Sequence, residues 1–248
     1  MTAGFQAWTD SGLVQIDGLT QNYALRQKIV VTTGPGSINA GKANSGNMYQ
    51  FSANVATLSI AAVAPLIAIY CSAANATILK CWSVGVNSWS VQVWSSVATT
   101  VEVFVFDQSA AAAPSGAGYG LQVFDGNGTL IADARQRLAR VLGVETGNIH
   151  DAPGTGWGQW GHIDSRDYSF SYGVSKVGVA AIQNAMQSFP TGGNNNGWYN
   201  LSGFNTAGGT VVHHYGYYQV GNTSHPSNDA GYGTAFDWRF MAIDLSNL

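Results

Sequence analysis

Charge is the first thing this chain is short of. Only 9% of its 248 residues are Asp, Glu, Lys or Arg, against about 25% in an average soluble domain. Long charged side chains are costly to order and are depleted where proteins pack on one another. A surface so poor in Lys and Glu suits a subunit of a larger assembly, or a secreted, lectin-like β protein. The formal net charge of −3 excludes the broad basic face that phosphate tracking requires. The one basic cluster, Arg135, Arg137 and Arg140, fits a local salt-bridge site. Cysteine is nearly absent. Cys71 and Cys81 cannot build a disulfide scaffold or a four-Cys zinc site. Each lies in an apolar strand-like run, which predicts buried free thiols, with pairing left open if their strands are neighbours.

Targeting and spanning segments are missing as well. Residues Met1 to Gly4 carry no basic n-region and no apolar h-region follows, so no Sec signal peptide is expected. The uncharged stretch 55–71 is interrupted by Thr57, Ser59 and Pro65. It is also shorter than the roughly 20 residues a spanning helix needs, and reads as a loop followed by a strand over 66–71. Catalytic signatures are absent: there is no G-x-S-x-G elbow, no phosphate loop and no H-E-x-x-H. The nearest approach is GSINAGKA at Gly36–Ala43, where Ala43 lacks the hydroxyl that would hold Mg²⁺. Asp151, Asp164, Asp167 and Asp229 lie near aromatic loops, as carboxylates of glycan hydrolases do, but their Gly, Asn and Ser neighbours favour turn capping. His213 and His214 are adjacent and would point to opposite faces of a strand. His150-Asp151 and His162-x-Asp164 have no spacing that fixes a metal. No catalytic residue, metal or cofactor is expected.

What fills the gap is glycine, 31 residues of it, together with Ser, Asn, Thr and aromatics. Short alternating runs separated by turn residues predict strands at Leu25–Thr32, Met48–Ser52, Leu66–Cys71, Thr77–Val86, Trp89–Ser95 and Thr100–Asp107. The last is apolar on both faces and is expected to be central. Val177–Ser188 is the better helix candidate, although its first half fits a strand equally well. Ala134–Leu142 reads as helix or strand, with strand preferred.

That preference comes from an internal repeat. GFQAWTDSGLVQID at residues 4–17 aligns without a gap with GLQVFDGNGTLIAD at residues 120–133. Gly4, Gln6, Gly12 and Asp17 are matched by Gly120, Gln122, Gly128 and Asp133, and Trp8 by the aromatic Phe124. Each copy opens as a β-hairpin and ends in a strand closing on Asp, at Asp107 and Asp244. Ala134–Leu142 then faces the extended segment Gly18–Arg26. The segment SAAAAPSGAG has linker composition. The expectation is therefore an all-β protein of two tandem β-sandwich-like domains, 1–108 and 119–248, joined by 109–118, with at most one short helix.

The second copy is longer, and its extra residues fall in two loops. DAPGTGWGQWGHID at residues 151–164 presents Trp157, Trp160 and His162. PTGGNNNGWYNLSGFNTAGG at residues 190–209 carries Trp198, Tyr199 and Phe204. Trp and Tyr give large contact area at low entropy cost, and Asn gives adaptable hydrogen bonds. These six residues are the candidate binding site. Such aromatics serve equally well as satellite cores beneath their loops.

The opening GFQAWTDSGLVQIDG, the strand PLIAIYC followed by SWSVQVWS and VEVFVFDQ, and the second opening YGLQVFDGNGTLIADAR resemble minor tail and tail-tip proteins of long-tailed bacteriophages with non-contractile tails. The likeness covers most of the chain. It implies a virion component of the distal tail, made in the bacterial cytoplasm and oligomeric. It also implies a part in host attachment, with other tail-tip or baseplate subunits and a cell-surface receptor as partners, and no catalytic residue. The first domain would anchor the assembly and the second would present its loops. A free carbohydrate-binding module and a glycan hydrolase are the alternatives.

Overall fold

Local chemistry starts the fold at its two opening hairpins. A computed structural model describes residues 6–8, 14–17, 22–42, 48–112, 119–149, 165–190, 196–221, 223–224 and 234–248. Strand β1 (Gln6–Trp8) pairs with β2 (Val14–Asp17), and β10 (Gln122–Phe124) pairs with β11 (Leu130–Asp133). The two registers coincide position by position. Gln6 faces Asp17 as Gln122 faces Asp133, and the same bulge falls between Ala7 and Trp8 and between Val123 and Phe124.

The second hairpin gives the repeated residues their reasons. Gly128 holds the turn at φ +83°, a backbone region that favours glycine, while Asp125 Oδ1 accepts the N–H groups of Asn127 and Thr129, each at 2.8 Å. Gln122 Nε2 donates to Asp133 at 2.9 Å. A Cβ at Gly120 would come within 2.8 Å of the Arg135 side chain. The Arg135 guanidinium forks onto Asp133 and, with its own N–H, holds that carboxyl well below the usual carboxylate range.

The correspondence continues into the body. Strand β3 (Tyr23–Thr32) pairs with β9 (Thr100–Gln108) through a bulge between Leu25 and Gln27. In the second copy β12 (Val141–Asn148) pairs with β20 (Asp237–Asp244) through a bulge between Val141 and Gly143. Between them lie β6 (Leu66–Tyr70) and β14 (Val177–Gln183), giving one six-stranded sheet in the order β12-β20-β14-β6-β9-β3.

The outer strands of that sheet are brought back together. Ala139 N donates to Tyr23 O at 2.7 Å and Leu25 N to Arg137 O at 2.8 Å, while the next residue, Arg140, accepts from Asp244 N at 2.9 Å. Three residues leading into β12 thus edge β3, and the fourth meets β20. The sheet curls around its own apolar face, to which Leu25, Phe104, Ala68, Ala180, Ile243 and Val141 contribute, one from each strand.

Its other face packs on a longer sheet ordered β13-β17-β16-β7-β8-β5-β18. The first copy supplies β5 (Met48–Ala61), β7 (Ala76–Gly85) and β8 (Ser88–Ser95), with β4 (Gly34–Lys42) on β5. The second supplies β13 (Arg166–Ser171), β16 (Asn196–Ala207) and β17 (Thr210–Gly221), with β15 (Met186–Pro190) on β16. Two short strands, β18 (Thr223–Ser224) and β19 (Thr234–Ala235), attach to β5 and β15. Alternation sorts β9 as a doubly covered strand must be sorted: Val101, Val103 and Val105 enter the layer between the sheets, and Phe104 and Phe106 the interior of the curl.

The protein is all-β and sandwich-like, and among the described residues its helix is the short 3-10 turn Ser109–Ala111. One expectation changes, and one gains a qualification. Val177–Ser188 is strand β14 and the start of β15 rather than a helix, because residues 177–180 are buried and β14 is bonded to β20 on one side and β6 on the other. The halves 1–108 and 119–248 each pack an apolar layer of their own between the sheets, and they are also joined to each other. Val179 pairs with Ile69 and Phe204 with Ala76, so both sheets run across the boundary at 109–118.

The closing aspartates tie each copy to itself. Asp107, with no exposed surface, accepts from Val63 N at 2.9 Å and Ala64 N at 3.0 Å and pairs with Arg26 at 3.0 Å. Asp244 accepts from Arg140 at 3.1 Å and Ser246 N at 3.0 Å.

Candidate functional site

The candidate residues separate. Trp157, Trp160 and His162 lie outside the described residues, as do Asp151, Asp164 and Asp229. Trp198 stands in β16 between Phe189 and Gln219 of the flanking strands. Tyr199 and Phe204 are core residues, 2% and 0% exposed. Tyr199 packs edge-on to Phe51 at 5.5 Å, and its hydroxyl accepts from Trp94 Nε1 at 3.1 Å. Phe204 packs against Phe240 at 5.1 Å and His213 at 5.2 Å. Of the two readings open for these loop aromatics, core packing describes this pair: β16 carries Phe204 into the layer between the sheets and Tyr199 into a cluster on the other face of the long sheet.

His213 and His214 point to opposite faces of β17, as neighbours on a strand must. His214 Nδ1 meets Asp167 at the partly exposed face. His213 is fully buried, stacked on Trp238 at 4.5 Å, with Nε2 bonded to Ser202 Oγ at 2.8 Å. Burial, with a smaller push from His214, lowers its pKa to about 3. Ser202 and His213 do not form a nucleophile pair in any useful sense. Both are sealed from solvent, Ser202 Oγ already accepts from Ala185 N, and Nδ1 of His213 has no carboxylate to orient it. No group of three His, Cys, Asp or Glu among the described residues is placed to hold a metal.

A surface site emerges instead where the two copies meet. Strand β7 pairs with β8 through to its tight turn, where Asn87 takes φ 54°. On its other side β7 meets β16 only at Ala76. Asn184 then caps the edge, donating to Ile78 O and accepting from Thr77 Oγ, both at 2.9 Å. Beyond that point β15 takes the edge of β16, from Leu201 to Gly197, and β7 and β16 part like a fork. A cleft of about 440 Å³ lies in the fork, lined by Ile78, Cys81, Ile182, Met186, Leu201 and Ala235.

The free arm of the fork is apolar and open. Residues 80–87 are all exposed, and they include Cys81, Trp82, Val84 and Val86, the last at 94%. Lys80 lies over the Trp82 ring at 4.8 Å. Cys71 is buried as expected. Cys81 is not, because its strand has run out of covering layer. The alternation of Trp82, Val84 and Val86, with Lys80 the one charge nearby, is the signal that marks this arm in the sequence. Taken as evidence for a strand alone, it does not say that the strand stands at an edge. A second exposed apolar group, Tyr119, Leu121 and Phe124, lies on or beside the β10–β11 hairpin.

Comparison of the chain with protein-family models, with curated proteins and with solved structures finds no match.

Proposed function

We propose that the protein is a structural subunit of a phage tail tip that takes part in host attachment. The observation that carries this reading is the arm at residues 80–87, where β7 has parted from β16 and runs into its turn with an exposed apolar edge. A monomer that works alone guards such an edge with charge or proline, whereas a subunit meant to be packed against others need not. The low charge of the whole chain points the same way. The segments that resemble tail-tip proteins are framework: the two opening hairpins, β6, β8 and β9. The reading thus concerns the scaffold, and receptor contact is assigned to Trp157, Trp160, His162 and Trp198. Tyr199 and Phe204 hold the scaffold and are left out of that contact set.

The test is competition. Purified protein added to host cells is expected to adsorb and to reduce infection by the phage that encodes it. The double variant Trp157→Ala/Trp160→Ala is expected to lose adsorption with an unchanged melting transition. A protein that neither adsorbs nor enters particles would sink the proposal. Entry into particles without adsorption would leave assembly and remove attachment.

A further inference from the structure

We infer that the free edge of β7 is an interface with a second copy of this chain. Two β7 strands would pair antiparallel across a two-fold axis, so that the ten-stranded sheets of two molecules join. The inference rests on the assembly half of the reading above and is independent of host attachment.

The molecule already makes this contact once. β7 and β16 are the first strands of the long hairpins β7–β8 and β16–β17, which hold equivalent places in the two copies, and they meet antiparallel at the seam. An edge of the β7 kind therefore pairs with its own kind inside one chain. The pairing stops where β15 intervenes, and the remainder of β7 is the part left without a strand beside it among the described residues. In the second copy the matching edge is covered throughout, by β15, by Ala76 and by Cys71 O, which accepts from Thr206 N.

The chemistry of the stretch is self-complementary. The bulges of β7 fall between Ile78 and Lys80 and between Ser83 and Gly85, leaving Lys80–Ser83 regular. A two-fold axis between Cys81 and Trp82 sets Cys81 against Trp82 and Lys80 against Ser83, so the only charges in the stretch never face each other. Like charges directly opposite are what destabilise a strand pair. Proline, which would refuse a ladder bond, is absent from residues 79–87. An isologous pair also uses both open edges in one contact and closes, where a head-to-tail pair would leave one free.

The full-length purified protein tests this without any phage component. Light scattering across a concentration series is expected to give the mass of two chains, and a short bis-maleimide to capture a covalent dimer. Cys81→Ser should abolish the capture and leave the dimer mass unchanged. Trp82→Lys and, separately, Val84→Lys should weaken dimerisation ~tenfold or more, with far-UV spectra and melting transitions like those of the unaltered chain, since both side chains are exposed. A monomer at every concentration overturns the inference. So does a dimer that both lysine variants leave intact, which would place the contact elsewhere. Failure of adsorption with dimerisation intact would count against the attachment reading alone.

Discussion

Asp107 is a carboxylate with no exposed surface, held by three backbone N–H groups and one guanidinium. Removing it leaves the Val63 and Ala64 amides without their acceptor beneath a packed turn. Asp107→Ala should therefore cost about 3 kcal/mol, read as a lowered urea midpoint at unchanged slope. Asp107→Asn, which keeps the shape and one acceptor oxygen, should cost less. His213 makes a prediction in pH. Its folded pKa, about 3, lies below the ordinary histidine value of 6.5, so the unfolded chain takes up a proton that the folded chain refuses. The neutral ring's contribution is intact above pH ~6.5 and falls by about 1.4 kcal/mol per pH unit as acid is added, until the folded pKa is reached. His213→Phe should flatten that part of the stability–pH curve. A slope unchanged by the substitution would assign the acid sensitivity to other groups. Phe204→Ala should cost about 3–5 kcal/mol in the same assay, the response of a core residue.

At the scale of elements, backbone contacts decide which glycines are replaceable. A Cβ on Gly178 would come within 2.4 Å of Leu245 and 3.1 Å of the Ile69 carbonyl, at the join of β14 with β6. Gly178→Ala should cost about 1–3 kcal/mol, while Ala at Gly173, which meets nothing within 4 Å, should cost little. Thermal melts of the two variants side by side would check both. The opening hairpins were legible in the sequence because their determinants are local: Gly128 for the turn and Gln122 with Asp133 for the register. The repeat turned Ala134–Leu142 away from a helix through its match to Gly18–Arg26, but the preferred strand forms only at Val141 and Leu142. The segment runs as a turn, a bridge to Ala24 and the start of β12. Val177–Ser188 leans to a helix in isolation through its alanines and glutamines, and only pairing on both sides decides for the strand that its first half also fits. The site was less legible. Alternation placed Trp82, Val84 and Val86 on a strand, but whether a strand is covered depends on β15, more than a hundred residues away in the chain. Tyr199 and Phe204 followed Gly- and Asn-rich sequence and looked like loop residues for the same reason.

For the molecule as a whole, the seam decides what counts as a folding unit. One cluster joins Phe51 and Trp94 to Tyr199 and Leu201, another joins Phe104 and Phe106 to Ala180 and Ile243, and Lys176 of the second copy binds Glu102 of the first at 3.0 Å. Residues 1–112 made alone should lack a cooperative unfolding transition, and co-expression with 119–248 should restore one. Independent two-state melting of either piece would show that the shared sheets are not required. The shared sheets also set an order in time. Strand β6 meets β14 through Ile69 and Val179, and β7 meets β16 through Ala76 and Phe204. The edges of the first copy thus await partners translated more than a hundred residues later. Such distant pairings close slowly. During synthesis the first half stands with open strand edges, at its most vulnerable to pairing with the wrong chain.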